Sequence, residues 1–217
     1  MTIYRRAFAL RGHPEKPMKH RHNDLGQNLT DAEAAEYTEV YQRGSDLLGK
    51  NIDLQDQQPI PSEEREAELQ EGIRLLQRAI AIVPGSWPAH WLIGKGHQAL
   101  GDHQRAYEAF RQAASITQQN ADVPRELCLA CLDLGKHAEA VAAARFAMQI
   151  ERFDPGLQAN LALALLLAGD INEALDQAEQ AAARSPEDEI NRNLLVIIRE
   201  VKEGRRRQPA TVAELEA

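Results

Sequence analysis

The chain has 217 residues, 43% hydrophobic and 27% charged, with a formal net charge of −8. This is the composition of a folded soluble chain, long enough for one compact domain or a short run of stacked repeats. The acidic balance argues against a nucleic-acid backbone as main partner, and no apolar run reaches the ~18 residues that a membrane span requires.

Residues 1–30 read as an irregular basic arm. Pro14, Pro17, Gly12 and Gly26 break any lasting period. Residues 1–22 carry Arg5, Arg6, Arg11, Lys16, Lys19 and Arg21 against Glu15, a net of +5, whereas 31–71 carry twelve acids against three bases, a net of −9. This leaves two occupants open for the arm: its own acidic neighbour or an acidic partner. The arm lacks the apolar segment and small-residue cleavage site of a secretory signal, so a cytoplasmic protein is expected.

Thr30 with Glu33 forms a capping box that opens a helix running to about Leu48. Gly49, Pro59 and Pro61 mark residues 49–61 as an inserted loop. Ser62 caps the next helix, which runs to about Val83 and buries a stripe including Leu69, Ile73, Leu76 and Ile80. Ala and Leu, both strong helix formers, supply much of the apolar content, whereas aromatic residues are only 5%. Scattered β-branched residues give no basis for a sheet core.

A step of 34 residues then organises the chain. Gly101, Gly135 and Gly169 keep it, as do Ala106, Ala140 and Ala174; Ala79, Ala113, Ala147 and Ala181; and Ile93, Leu127 and Leu161. Several residue sets sharing one period mark a structural repeat. Each glycine can end one helix in the left-handed conformation. The alanines then mark the places where helices approach closely. Neither helix of such a unit buries its apolar face alone, so neighbouring units must stack.

This period and its residues resemble the tetratricopeptide repeat family. The best match is His90-Trp91-Leu92-Ile93-Gly94, followed by Gly101-Asp102, Ala106, Phe110 and Ala113. The second unit offers Leu127-Cys128, Cys131, Gly135-Lys136, Ala140, Ala144 and Ala147; the third offers Leu161-Ala162, Leu165, Gly169-Asp170, Ala174, Ala178, Ala181 and Pro186. The chain departs from the family pattern in three ways. Trp91 lies one place late, the aromatic of the second helix survives only as Phe110, and the first repeat is interrupted by the inserted loop. The resemblance implies an all-α, right-handed superhelical solenoid of antiparallel helix pairs. Residues 31–86 would be a divergent first repeat, 87–186 three regular repeats, 187–204 a capping helix opened by Ser185-Pro186, and 205–217 a disordered tail.

The resemblance also implies a scaffold or adaptor that binds another protein. In such a stack the first helix of each unit lines a concave groove. In that register the candidate peptide-binding residues are Trp91, Lys95 and Gln98, then Arg125 and Leu129 (with Leu132), then Ala159 (with Leu163 and Leu166). An aromatic, basic and aliphatic groove suits a peptide or helix with apolar anchors. The alternative for Trp91 is burial between helices. The family's carboxylate clamp needs matched Lys and Asn residues, and Asn160 stands without them.

Two other functions were weighed. Self-association would use apolar residues of the last helix such as Leu195 and Ile198. Thiol redox or metal chemistry would use Cys128 and Cys131, but these lie inside a helix, at positions filled by Gly94 and Ala162, and by His97 and Leu165, in the other units. Reactive Cys-x-x-Cys pairs sit instead at helix starts, and two further ligands at zinc spacing are missing. His13, His20 and His22 read as ordinary arm residues, and His103 and His137 as helix-start residues. Pairs such as Glu63-Glu64 read as a solvated face. The chain is therefore expected to be no enzyme and to need no cofactor or metal.

Overall fold

A computed structural model of the chain describes residues 29–52 and 62–216, and the proposed arm before residue 29 and most of the proposed loop lie outside them. Among the described residues the structure is all-α, built from helices that pair with their sequence neighbours. These residues fall into two compact units, 29–117 and 118–216.

The first unit holds α1 (Asp31–Ile52), α2 (Glu63–Ile82), α3 (Trp87–Ala99) and α4 (His103–Ile116). The capping box forms: Thr30 N donates to Glu33 Oε2 at 2.8 Å, and Glu33 N donates back to Thr30 Oγ1 at 3.3 Å. Ser62 Oγ likewise accepts from Arg65 N at 3.1 Å. Helix α1 continues to Ile52, so Gly49 does not end it. Beyond Gly49, Asn51 donates to the Leu47 carbonyl at 2.8 Å and to Glu68 of α2 at 2.8 Å, which ties this last turn to the neighbouring helix.

α1 packs on α2 and α3 on α4, while α3 also touches α1 and α2. Leu48, Leu69, Ile73, Leu76, Ala89 and Ile93 form the centre of this unit. Phe110 is wholly buried and faces Gly94, where an added Cβ would stand 2.6 Å from the ring. Burying such a ring contributes about 1.5–3 kcal/mol, and only a glycine opposite leaves it room.

The second unit holds α5 (Asp122–Asp133), α6 (His137–Ile150), α7 (Pro155–Ala168), α8 (Ile171–Arg184), α9 (Glu189–Lys202) and a closing 3-10 turn, Val212–Glu216. Successive helices pack, and α7 also touches α5 and α9. Every residue of α7 from Gly156 to Leu167 is buried. Its run of alanine and leucine has no polar face, so it is stable only when wrapped by other elements.

The 34-residue period has a visible cause. Gly101, Gly135 and Gly169 have φ of +77°, +67° and +94°. At each, the amide after the glycine reaches back to a carbonyl of the last helical turn: Asp102 to His97 at 2.9 Å, Lys136 to Cys131 at 2.8 Å, Asp170 to Leu165 at 2.9 Å. A side chain at such a φ clashes with its own backbone, so glycine is required.

Two expectations change at the carboxyl end. α9 begins after Asp188, whose carboxylate accepts from Ile190 N and Asn191 N at 3.0 and 3.1 Å, so Asp188 and not Ser185 is the cap. Residues 205–216 are not a disordered tail. Gly204 turns the chain at φ +72°, Arg206 donates to the Glu214 and Leu215 carbonyls at 3.2 and 2.9 Å, and Gln208 donates to the Leu166 carbonyl of α7 at 3.2 Å. Leu215 is 3% exposed. The segment folds back because its own side chains and one apolar anchor satisfy it.

Candidate functional site

The six candidate groove residues occupy equivalent register positions but meet different fates. On α3, Trp91, Lys95 and Gln98 stand at i, i+4 and i+7, on one helix face, and all three are half-exposed. The Lys95 ammonium lies 6.0 Å from the Trp91 ring centroid, within reach of the ring's negative face. The Trp91 indole Nε1 is buried and has no hydrogen-bond partner. Trp91 is therefore neither a free surface ring nor a sealed core residue. Its body is anchored and its N–H donor is unspent.

On α5 and α7 the same positions are closed. Arg125 is 7% exposed, Leu129 3% and Ala159 0%. Arg125 is held by Asp122 at 2.7 Å and by Glu126 at 3.4 Å. Leu132, Leu163 and Leu166 are buried as well. These residues build the second unit and, as they stand, offer no open surface to a partner. The physical reason is apolar content: α7 is too hydrophobic to leave one face in water.

A buried polar group emerges that the sequence reading did not place at a site. Glu126, Gln158, Asn160 and Asn191 are each at most 2% exposed. Gln158 is well bonded, donating to Gln177 at 3.2 Å and to Gln180 at 2.9 Å. Asn160 is not: neither Nδ2 nor Oδ1 has a partner. One signal was available in advance, because Leu92, Glu126 and Asn160 share a register position, so the second and third units break an apolar rule that the first obeys.

Cys128 and Cys131 are free and buried. Burial pushes the Cys128 thiol well above its usual range, and the nearby Cys131 and Glu126 add to the shift. Burial pushes Cys131 up to about 12, with Glu139 adding and Lys136 opposing. Thiol chemistry needs a thiolate with access to solvent, and this pair has neither. No group of three or more His, Cys, Asp or Glu is placed to hold a metal among the described residues. No described helix is long and apolar enough to cross a membrane. Leu195 and Ile198, expected to serve self-association, are half-buried and buried, whereas Val196 between them is exposed.

The fold is tetratricopeptide-repeat-like, with an extra helix after the last pair. The family model described as "Tetratricopeptide repeat" matches residues 88–120. A crystal structure of MamA protein superposes with a TM-score of 0.63 at 15% identity, covering 76% of this chain and 84% of that one. MamA from Desulfovibrio magneticus RS-1 gives a TM-score of 0.62 at 16% identity, covering 81% and 87%. YrrB, called a TPR protein with an unusual peptide-binding site, gives 0.60 at 15% identity, covering 85% and 91%. At such identities the likeness is one of fold. No curated protein sequence matches the chain.

Proposed function

We propose that this protein is a non-enzymatic binding module that holds a peptide or short helix of a partner protein on the exposed face of α3. The observation that carries the reading is the half-exposed Trp91 ring with the Lys95 ammonium 6.0 Å from its centroid. A half-exposed ring offers a large apolar contact at little entropic cost, and the Lys95 ammonium beside it favours a partner that also carries an acidic group. Gln98 extends the face by one turn with a donor and an acceptor. The fold supports the reading, since it is shared with a protein described as having a peptide-binding site. Two unpaired cysteines in a folded chain fit a reducing compartment, so we place the binding in the cytoplasm.

The test is affinity capture with the intact chain, then capture with Trp91→Ala and Lys95→Glu. Trp91→Ala removes the ring contact, and a loss of about 2 kcal/mol corresponds to roughly 30-fold weaker binding. Lys95→Glu should weaken binding of an acidic partner further and flatten its salt dependence, because an attraction that salt screens is replaced by a repulsion. Undiminished capture by both variants, with helicity intact, would remove α3 from the interface.

A further inference from the structure

Helices α1 and α2 leave an open groove of about 680 Å³ along their outer seam. Its floor is apolar: Leu47, half-buried, and Ala67, exposed. Its rim is acidic. Glu39 and Asp46 on α1 and Glu64, Glu68 and Glu71 on α2 line it against two bases, Arg43 and Lys50. Lys50 is engaged with Glu68, while Glu71 pairs with Arg74 at 2.6 Å. Glu39, Asp46 and Glu64 remain exposed to solvent. Hydrogen bonds from Asn51 and Lys50 also hold the Glu68 carboxyl below the usual range, which keeps it charged.

We propose that this groove is the docking site of the chain's own segment Pro14–His22, bound by the same molecule that carries it. The segment reads Pro-Glu-Lys-Pro-Met-Lys-His-Arg-His. Lys16, Lys19 and Arg21 supply the charges that the rim lacks. Met18 lies among them, an unbranched apolar side chain able to fit an irregular floor. Length permits the return. Leu29 is already packed on the first unit, and the eight residues from Arg21 to Leu29 span at most ~29 Å when extended, enough to reach the near end of the groove at Glu39, about 12 Å along the α1 axis from Asp31. Proline has one backbone angle fixed by its ring, so Pro14 and Pro17 lower the ordering cost of laying the segment in a groove. Rim charges on a surface are screened within about 8 Å at physiological salt and about 3 Å at 1 M, so the docking is salt-sensitive.

Zero-length carbodiimide coupling of the intact chain tests this, because it joins only lysine amines and carboxylates already in contact. Coupling of Lys16 or Lys19 to Glu39, Asp46, Glu64, Glu68 or Glu71 is expected, read by mass spectrometry, with the Lys50–Glu68 link as internal control. The arm couplings to Asp46 and Glu68, the acids that the Glu39→Gln/Glu64→Gln/Glu71→Gln chain keeps, should fall at least fivefold in that chain and in 1 M salt, with helicity checked by circular dichroism. Mixing isotopically light and heavy chains separates self-docking from exchange. The proposal is overturned if the control link forms without arm links. It is equally overturned if the arm lysines couple to acids outside the groove, or if the arm links are chiefly between light and heavy chains.

Discussion

Three register positions are read in opposite ways by the two units. In α3 they hold Trp91, Lys95 and Gln98, half-open to solvent; in α7 they hold Ala159, Leu163 and Leu166, all at most 1% exposed. The packing inside the pairs differs in step. The first unit sets Phe110 against Gly94, the second sets Ala144 and Ala178 at Phe110's position and Cys128 and Ala162 at Gly94's, and every one of these is buried. One aromatic with no side chain opposite has been exchanged for two small side chains. The two pairs do not fill the same volume, so in the second unit the neighbouring side chains take up what the ring fills in the first. Cys128 is one of these packing residues.

The largest effect expected from breaking the comparison is at Phe110. Phe110→Ala alone should cost about 3–5 kcal/mol of unfolding free energy. Gly94→Ala alone should cost about 1–3 kcal/mol, because its Cβ meets the ring. The double variant, which sets alanines at the positions that hold Ala162 and Ala178 two repeats on, should lose at least about 1 kcal/mol less than the sum of the two costs, because the added Cβ no longer meets a ring. Additive costs in denaturant titrations would show that the two positions do not share one volume.

A smaller effect of opposite sign is expected in the second unit. Asn160→Leu replaces a buried amide without partners by an apolar side chain of similar size, and should raise stability by about 1–3 kcal/mol. A fall in stability would mean that the amide is satisfied in solution, for example by a trapped water.

The smallest effects separate the units by pH. Burial lowers the pKa of His90 and of His97 in the first unit. Their unfolded forms take up protons first, so stability is present above about 6.5 and declines as pH falls through that value. Burial raises the pKa of both thiols in the second unit. There the unfolded chain loses protons first, so stability is full below about pH 9 and declines as pH rises toward 12. The raised tyrosines of the first unit, Tyr37 and Tyr41, add their own loss only above about 10. Site-resolved hydrogen exchange across pH should show the first unit loosening earlier in acid and the second earlier in base. Matched profiles would contradict this assignment.

Much of the fold was legible because it depends on single residues with one physical solution. A glycine at positive φ is hard to replace, so Gly101, Gly135 and Gly169 announce the turns, and Thr30, Glu33 and Ser62 announce helix starts by direct hydrogen bonds. What escaped the sequence depends on partners far away in the chain. Gly49 can be read as a stop until Asn51 is seen to reach Glu68. Residues 205–216 look unstructured until Gln208 meets Leu166. The candidate groove was half legible: helical spacing placed Trp91, Lys95 and Gln98 on one face, but spacing carries no information on what covers Arg125, Leu129 and Ala159. The groove between α1 and α2 went unseen because its acids are spread over two helices and read as ordinary solvated faces.

The fully wrapped α7 also constrains how the chain can be made. A ribosome releases the amino end first, so the run from Leu161 to Ala168 leaves the exit tunnel before α8 and α9, which lie against it in the finished protein, have emerged. For that interval it is an apolar stretch with nothing to cover it, the kind of surface that invites aggregation. Production of this protein should therefore be limited by shielding during translation, more than by the stability of the finished fold.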